Sequence, residues 1–192
     1  MEIRTDLALE RAGELEEGGG LPRGVSVKKE HRHGIESTVV TISTKAGEGA
    51  IGKLKGTYVT VELGSVLRRE KGSFDGAVAC IADYLRGMLK LPNRLPVLVA
   101  GLGNRGMTAD AVGPLALENL LVTRHMVRSL PRQFRGFTPV AAVSPGVLAA
   151  TGMETLELLR GAVQASGCAA VIAIDALAAR SRDRLCATIQ LG

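Results

Sequence analysis

Two aspartates hold the clearest capacity for chemistry. Asp110 closes the stretch PVLVAGLGNRGMTAD that begins at Pro96, and Asp175 directly follows the apolar run Ala170–Ile174. Both stand just past the end of a run that reads as a fully buried strand. Open α/β sheets bind ligands at that edge, beyond the carboxyl ends of their strands. If the two strands are neighbours, both carboxylates enter one crevice. Two such groups do not ionise together easily, so one is pushed up and the pair shares a proton. One member then deprotonates a water and the other protonates a leaving group. A plainer reading is open too: Asp175 caps the turn over 176–179, and Asp110 caps the loop ahead of Pro114.

The elements around them follow from pattern. Val97, Leu98, Val99 and Ala100 form a continuous apolar run of the kind a parallel sheet buries on both faces. Ser73–Leu91 is an amphipathic helix, with Phe74, Val78, Ile81, Leu85 and Met88 at steps of three and four, and Asn93 and Pro96 stop it. Pro114 to about Leu130 reads as a second helix and Pro139–Val143 as a second parallel-type strand. A third helix runs over Thr151–Ala165, opening with the Thr151/Glu154 capping box, and Ala170–Ile174 is the third strand. Between Val25 and Leu63 the period changes to two, with Ala46–Lys53 as a loop. This predicts a small antiparallel region with one solvated face. Arg184–Leu191 alternates as a strand with no helix after it. The expectation is a chain cut short at its C-terminus, with an exposed edge that promotes aggregation. Residues 11–24 hold five glycines and a proline, which predicts a flexible linker behind a tethered N-terminal segment.

Several other readings are weaker. Gly101, Gly103 and Gly106 match G-x-G-x-x-G, the basis for a dinucleotide- or anion-binding alternative. Against it, Met107–Gly113 still reads as loop, and Asp110 would sit beside the phosphates. His31 and His33 have no further ligand nearby and read as a solvated turn. Glu118 and Arg124 are polar residues in an apolar helix that would either join the aspartates or face solvent. Cys80, Cys168 and Cys186 lie in apolar patterns and read as buried, reduced thiols. The formal charge is +5, with 46% hydrophobic but only 3% aromatic residues. No basic block interleaved with aromatics stands out, so no direct nucleic acid contact is expected. Neither a secretory signal nor a run of membrane-spanning length is present, and a cytoplasmic location is expected.

Four blocks closely resemble the spore germination protease family: Pro96–Pro114, Glu118–His125 (ENLLVTRH), Ser144–Thr155 (SPGVLAATGMET) and Val171–Arg180 (VIAIDALAAR). The similarity runs from Ile3 to Gln190. It implies an endopeptidase that degrades the small acid-soluble proteins coating DNA in bacterial spores. It also implies a mostly parallel sheet flanked by helices, as in hydrogenase maturation peptidases, with an added antiparallel region. The family's catalytic aspartates fall on Asp110 and Asp175, with Asn104 and Thr108 as hydrogen-bonding neighbours. Ala111 stands where the hydrogenase-maturation relatives carry a liganding glutamate. No metal or other cofactor is therefore expected, and a metal-assisted peptidase remains the alternative enzyme. The resemblance further implies a homotetramer in the spore core, made as a self-processing precursor cut between Asp6 and Leu7 in Asp6-Leu-Ala-Leu-Glu10. The expected layout is a pro-segment and linker over 1–24, then a single α/β domain over 25–192. That domain carries a β-rich insertion at about 25–65 and lacks its C-terminal part.

Overall fold

A computed structural model describes residues 5–90 and 95–192. It divides into two compact units, Met1–Met88 with Leu177–Gly192, and Leu89–Ala176. The expected parallel sheet and antiparallel region are both present, each in its own unit, but the antiparallel sheet is the larger, with four strands against three.

In the first unit, β1 (Val25–Arg32), β2 (Ile35–Ile42), β3 (Gly56–Glu62) and β7 (Thr188–Leu191) form an antiparallel sheet in the order β1-β2-β3-β7. His33 and Gly34, with φ of 53° and 77°, make the tight turn between β1 and β2. Only the last four residues of the alternating Arg184–Leu191 stretch are strand, because Arg182–Arg184 forms a 3-10 turn ahead of it. The expected solvated face is absent. Val40 and Ile42 pack with α1 (Ala8–Glu17) and α2 (Lys45–Ile51) on one side. Ile35, Val59 and Val61 pack on the other with Ala77, Cys80 and Tyr84 of α4 (Ser73–Leu89). Tyr84 fastens α4 to the sheet. Its hydroxyl lies 2.7 Å from Ser37 Oγ and donates to Glu30 at 3.0 Å. Lys28, Arg32 and this hydroxyl hold the Glu30 carboxyl down at about 2.

Two stretches read as loop are helical. Ala8, Ala12 and Leu15 recur on one face of α1, and both alanines are wholly buried. The glycines that made this segment look like linker fall mostly after the helix, at Gly18–Gly20 and Gly24. In α2, Thr44 accepts from Gly47 N at 3.1 Å as N-cap, and Gly52 ends the helix at φ 73°. Gly47 is required there, since a side chain would press on Val25 and Ile42. A short helix, α3 (Gly64–Leu67), precedes α4. Asn93, taken as the stop of α4, lies outside the described residues.

The second unit has a parallel sheet in the order β5-β4-β6, from β4 (Val97–Leu102), β5 (Val140–Gly146) and β6 (Ala170–Ile174). Val97 to Ala100 are all buried, as the continuous apolar run requires of a central strand. The expected helix after Pro114 is two, α5 (Val112–Glu118) and α6 (Arg124–Ser129). Thr123 breaks it by pairing with the sheet instead: its N–H donates to Val140 O, and its hydroxyl donates to Thr138 O. The expected third helix is likewise split into α7 (Leu148–Thr151) and α8 (Thr155–Ser166). Thr151 bonds back to Val147 O and Gly152 turns left-handed, so the capping box is Glu154 with Glu157. Of the three cysteines only Cys80 is buried; Cys186 is exposed.

Candidate active site

The condition set by the sequence is met: β4 pairs directly with β6, Gly101 opposite Ile174. Asp110 and Asp175 therefore stand beyond the carboxyl ends of neighbouring strands in one unit. Glycines bring the two ends together. Any side chain at Gly113 would collide with the carbonyl oxygens of both Leu102 and Ile174, and one at Gly101 would strike Gly113 itself. The Asp110 loop is thus wedged between the two strands that deliver the carboxylates.

Asp110 is half-buried at the end of a 3-10 turn, Thr108–Asp110. Asn104 N donates to Asp110 Oδ2 at 2.8 Å and to Asp110 O at 3.0 Å. Asn104 Oδ1 in turn accepts from Gly106 N at 2.9 Å. Asn104 accordingly holds Asp110 through its backbone, while its side chain stiffens the loop. Thr108 is exposed and opens the 3-10 turn. Asp175 is exposed, with Oδ1 accepting from Ala176 N at 2.8 Å. Each carboxylate bonds to its own loop and not to the other. Asp110 does not cap the following helix, whose N-cap is Ala111 with no side-chain bond.

Glu118 and Arg124, which sequence grouped together, part company. Glu118 pairs with Arg105 of the Asp110 loop at 2.6 Å, whereas Arg124 donates to Ala165 O and Ser166 O at the end of α8. Two residues near the site went unremarked. Arg105 is the lone charge among the loop glycines, the one signal that marked it. Ser144, at the end of β5, donates to Gly101 O at 3.4 Å; nothing local in the sequence set it apart.

The glycine motif does not form a phosphate cradle. α5 starts six residues after Gly106, and the N–H groups of Asn104 and Gly106 are already taken by Asp110 and Asn104. Among the described residues no three His, Cys, Asp or Glu side chains converge as a metal site.

The N-terminal segment is docked within the first unit. Asp6 N donates to Ala178 O at 2.8 Å, and Ala178 N donates to Asp6 Oδ2 at 3.0 Å. The Gln190 side chain reads the backbone on both sides of Leu7, donating to Asp6 O at 3.1 Å and accepting from Ala8 N at 2.7 Å. Leu7 is 3% exposed. Glu10 accepts from the N–H groups of Arg180 and Ser181 at 2.8 and 2.9 Å, from Arg184, and from the Thr5 hydroxyl. Burial pushes the Glu10 carboxyl up, but these bonds outweigh it and hold it below the usual value of 4.5.

An α/β protein with paired aspartates at adjacent strand ends has the makings of a hydrolase site, and comparison with known proteins is consistent with that class. The germination protease family model matches residues 3–192. The chain is 43% identical over 190 residues to the germination protease of Caldanaerobacter subterraneus subsp. tengcongensis, a match covering 98% of this chain and 58% of that protein. It is 40% identical to the germination proteases of Priestia megaterium and Clostridium acetobutylicum, of which it covers 54% and 60%. This chain belongs to the germination protease family, and spans a little over half the length of these relatives.

Proposed function

We propose that this chain carries the catalytic aspartates of an endopeptidase that acts in spore germination. Its substrates are the small acid-soluble proteins that coat spore DNA. The observation that supports this most directly is the placement of Asp110 and Asp175 at the ends of the paired strands β4 and β6, with Gly113 wedged between them. In the reaction, the ionised carboxylate of the pair takes a proton from water as its oxygen attacks the peptide carbonyl. The protonated partner donates to the carbonyl oxygen. Collapse of the tetrahedral intermediate returns a proton to the leaving nitrogen, and no covalent enzyme intermediate forms. Asn104 positions Asp110 through its backbone N–H.

The enzyme is made as a precursor, works as a homotetramer in the spore core, and removes its own residues 1–6. Asp6-Leu-Ala-Leu-Glu10 has the order of acid, apolar residue, alanine and acid that the substrates carry. One experiment tests both the pair and the processing. A chain extended to the full length of the family is incubated at mildly acidic pH, and its N-terminus is sequenced. The unsubstituted enzyme is expected to begin at Leu7. Asp110→Asn and Asp175→Asn are expected to keep Met1 and to lose cleavage of a substrate peptide, with thermal unfolding nearly unchanged. Full activity in either variant refutes the pair. An intact N-terminus on an active enzyme refutes the processing alone.

A further inference from the structure

The segment from Arg124 to Phe137 has a charge pattern of its own. Between Glu118 and Glu154 no acid occurs, and the segment carries four arginines: Arg124, Arg128, Arg132 and Arg135. Arg124 is committed to the end of α8. The other three are exposed, and among the described residues none is paired with an acid. Between and beside them lie Phe134 and Phe137, ring centroids 5.4 Å apart and planes tilted by 59°, with Phe137 45% exposed. The base is a built turn. Leu130 N donates to Met126 O at 2.7 Å, Phe134 N to Leu130 O at 3.1 Å, and Phe137 N to Phe134 O at 3.1 Å.

A solvated face would account for three free arginines. It would not account for a stretch free of acids, from Asn119 to Met153, around an exposed aromatic ring. An acidic protein partner would make no particular use of the ring. Planar guanidinium forks match phosphate oxygens, and a ring face matches a base or sugar. We propose that Arg128, Arg132, Arg135 and Phe137 form a nucleic-acid-binding surface, with the arginines on backbone phosphates and Phe137 against a base or sugar. This departs from the sequence expectation of no direct nucleic acid contact. It does not depend on the aspartate pair, because binding is the readout.

The test is fluorescence anisotropy of this chain with a labelled single-stranded DNA and with its duplex, over a salt series. Three phosphate contacts predict a log–log salt slope of roughly −2 on the single strand and roughly −3 on the duplex. The triple variant Arg128→Glu, Arg132→Glu, Arg135→Glu is expected to weaken binding at least about tenfold and to flatten the slope. A control with the same charge change at exposed sites of the other unit, Arg23→Glu, Lys55→Glu and Lys71→Glu, should stay within about twofold. Circular dichroism checks that both remain folded. Phe137→Ala should weaken single-strand binding about fivefold. A loss confined to the single strand assigns the ring to an unpaired base, and a loss on both assigns it to the sugar edge. The proposal is overturned if the control loses as much as the triple variant. It is also overturned if polyglutamate or anionic vesicles bind as tightly as DNA, or if no salt-dependent binding is seen.

Discussion

Glu10 shows how much can rest on one side chain whose role as a tether no local pattern reveals. It is 8% exposed, and it joins the N-terminal segment to Arg180, Ser181 and Arg184 far along the chain. A buried carboxylate accepting several N–H bonds is strongly stabilising while ionised. Glu10→Gln puts an amide N–H against backbone N–H donors and should lower stability by about 2 kcal/mol, read by chemical denaturation. Because its folded pKa is depressed, its contribution is complete above 4.5 and fades as pH falls through the lower folded value. Hydrogen exchange of residues 5–17 should therefore quicken selectively below that range. Sequence singled out Asp6, Leu7 and Glu10 for their order. It did not reveal what holds them, because the contacts described above, Thr5 apart, come from residues 178–190 and no local pattern connects the two stretches. The placement of Asp110 and Asp175 past neighbouring strands was legible for the opposite reason: Asp175 directly follows an unbroken apolar run and Asp110 closes the loop that leaves another, and runs of that kind have only one place in a parallel sheet.

At the scale of elements, the strands and helices with one dominant periodicity were legible, namely β4, β6 and α4. The failures have particular physical causes. Thr123 gives up helical geometry to satisfy the β5 edge, and the alanine face of α1 is too weakly apolar to stand out among glycines. The site itself depends on a contact between elements. Gly113→Ala forces a methyl into the carbonyls at the ends of β4 and β6 and should lower stability by about 1–3 kcal/mol. It should also reduce peptide cleavage by displacing the Asp110 loop. Gly13→Ala is the contrast. It lies inside α1 with open space around it, and should raise stability by about 0.5–1 kcal/mol. Thermal unfolding of the two variants separates crowding from helix propensity. Equal shifts would remove the wedge from the explanation of the site.

For the molecule as a whole, the two units are unequally consolidated. The first has two apolar clusters, one on each side of its sheet. In the second, the buried apolar side chains among the described residues are those of β4, Ala111, Pro114 and Pro145, while Val112, Leu148, Leu156 and Val171 are more than 40% exposed. Local stability follows the apolar area removed from water. Unfolding is therefore expected in two steps, the lower reporting residues 89–176 and the upper residues 5–88 with 177–192. Calorimetry with hydrogen exchange read by mass spectrometry distinguishes this from a single cooperative transition.

The way the two units share the chain sets an order of events during synthesis. Residues 89–176 are contiguous, so β4, β5 and β6 can pair as soon as that stretch leaves the ribosome. The first unit begins the chain yet needs β7 beside β3, and the 178–190 stretch against Asp6, Leu7 and Glu10. Its sheet therefore waits with one edge unpaired while the less consolidated unit emerges. Asp6, Leu7 and Glu10 are made well before the 178–190 stretch and are fastened only once it arrives. Any mutation that slows the arrival of Thr188–Leu191 prolongs the interval in which the edge of β3 is open to another chain.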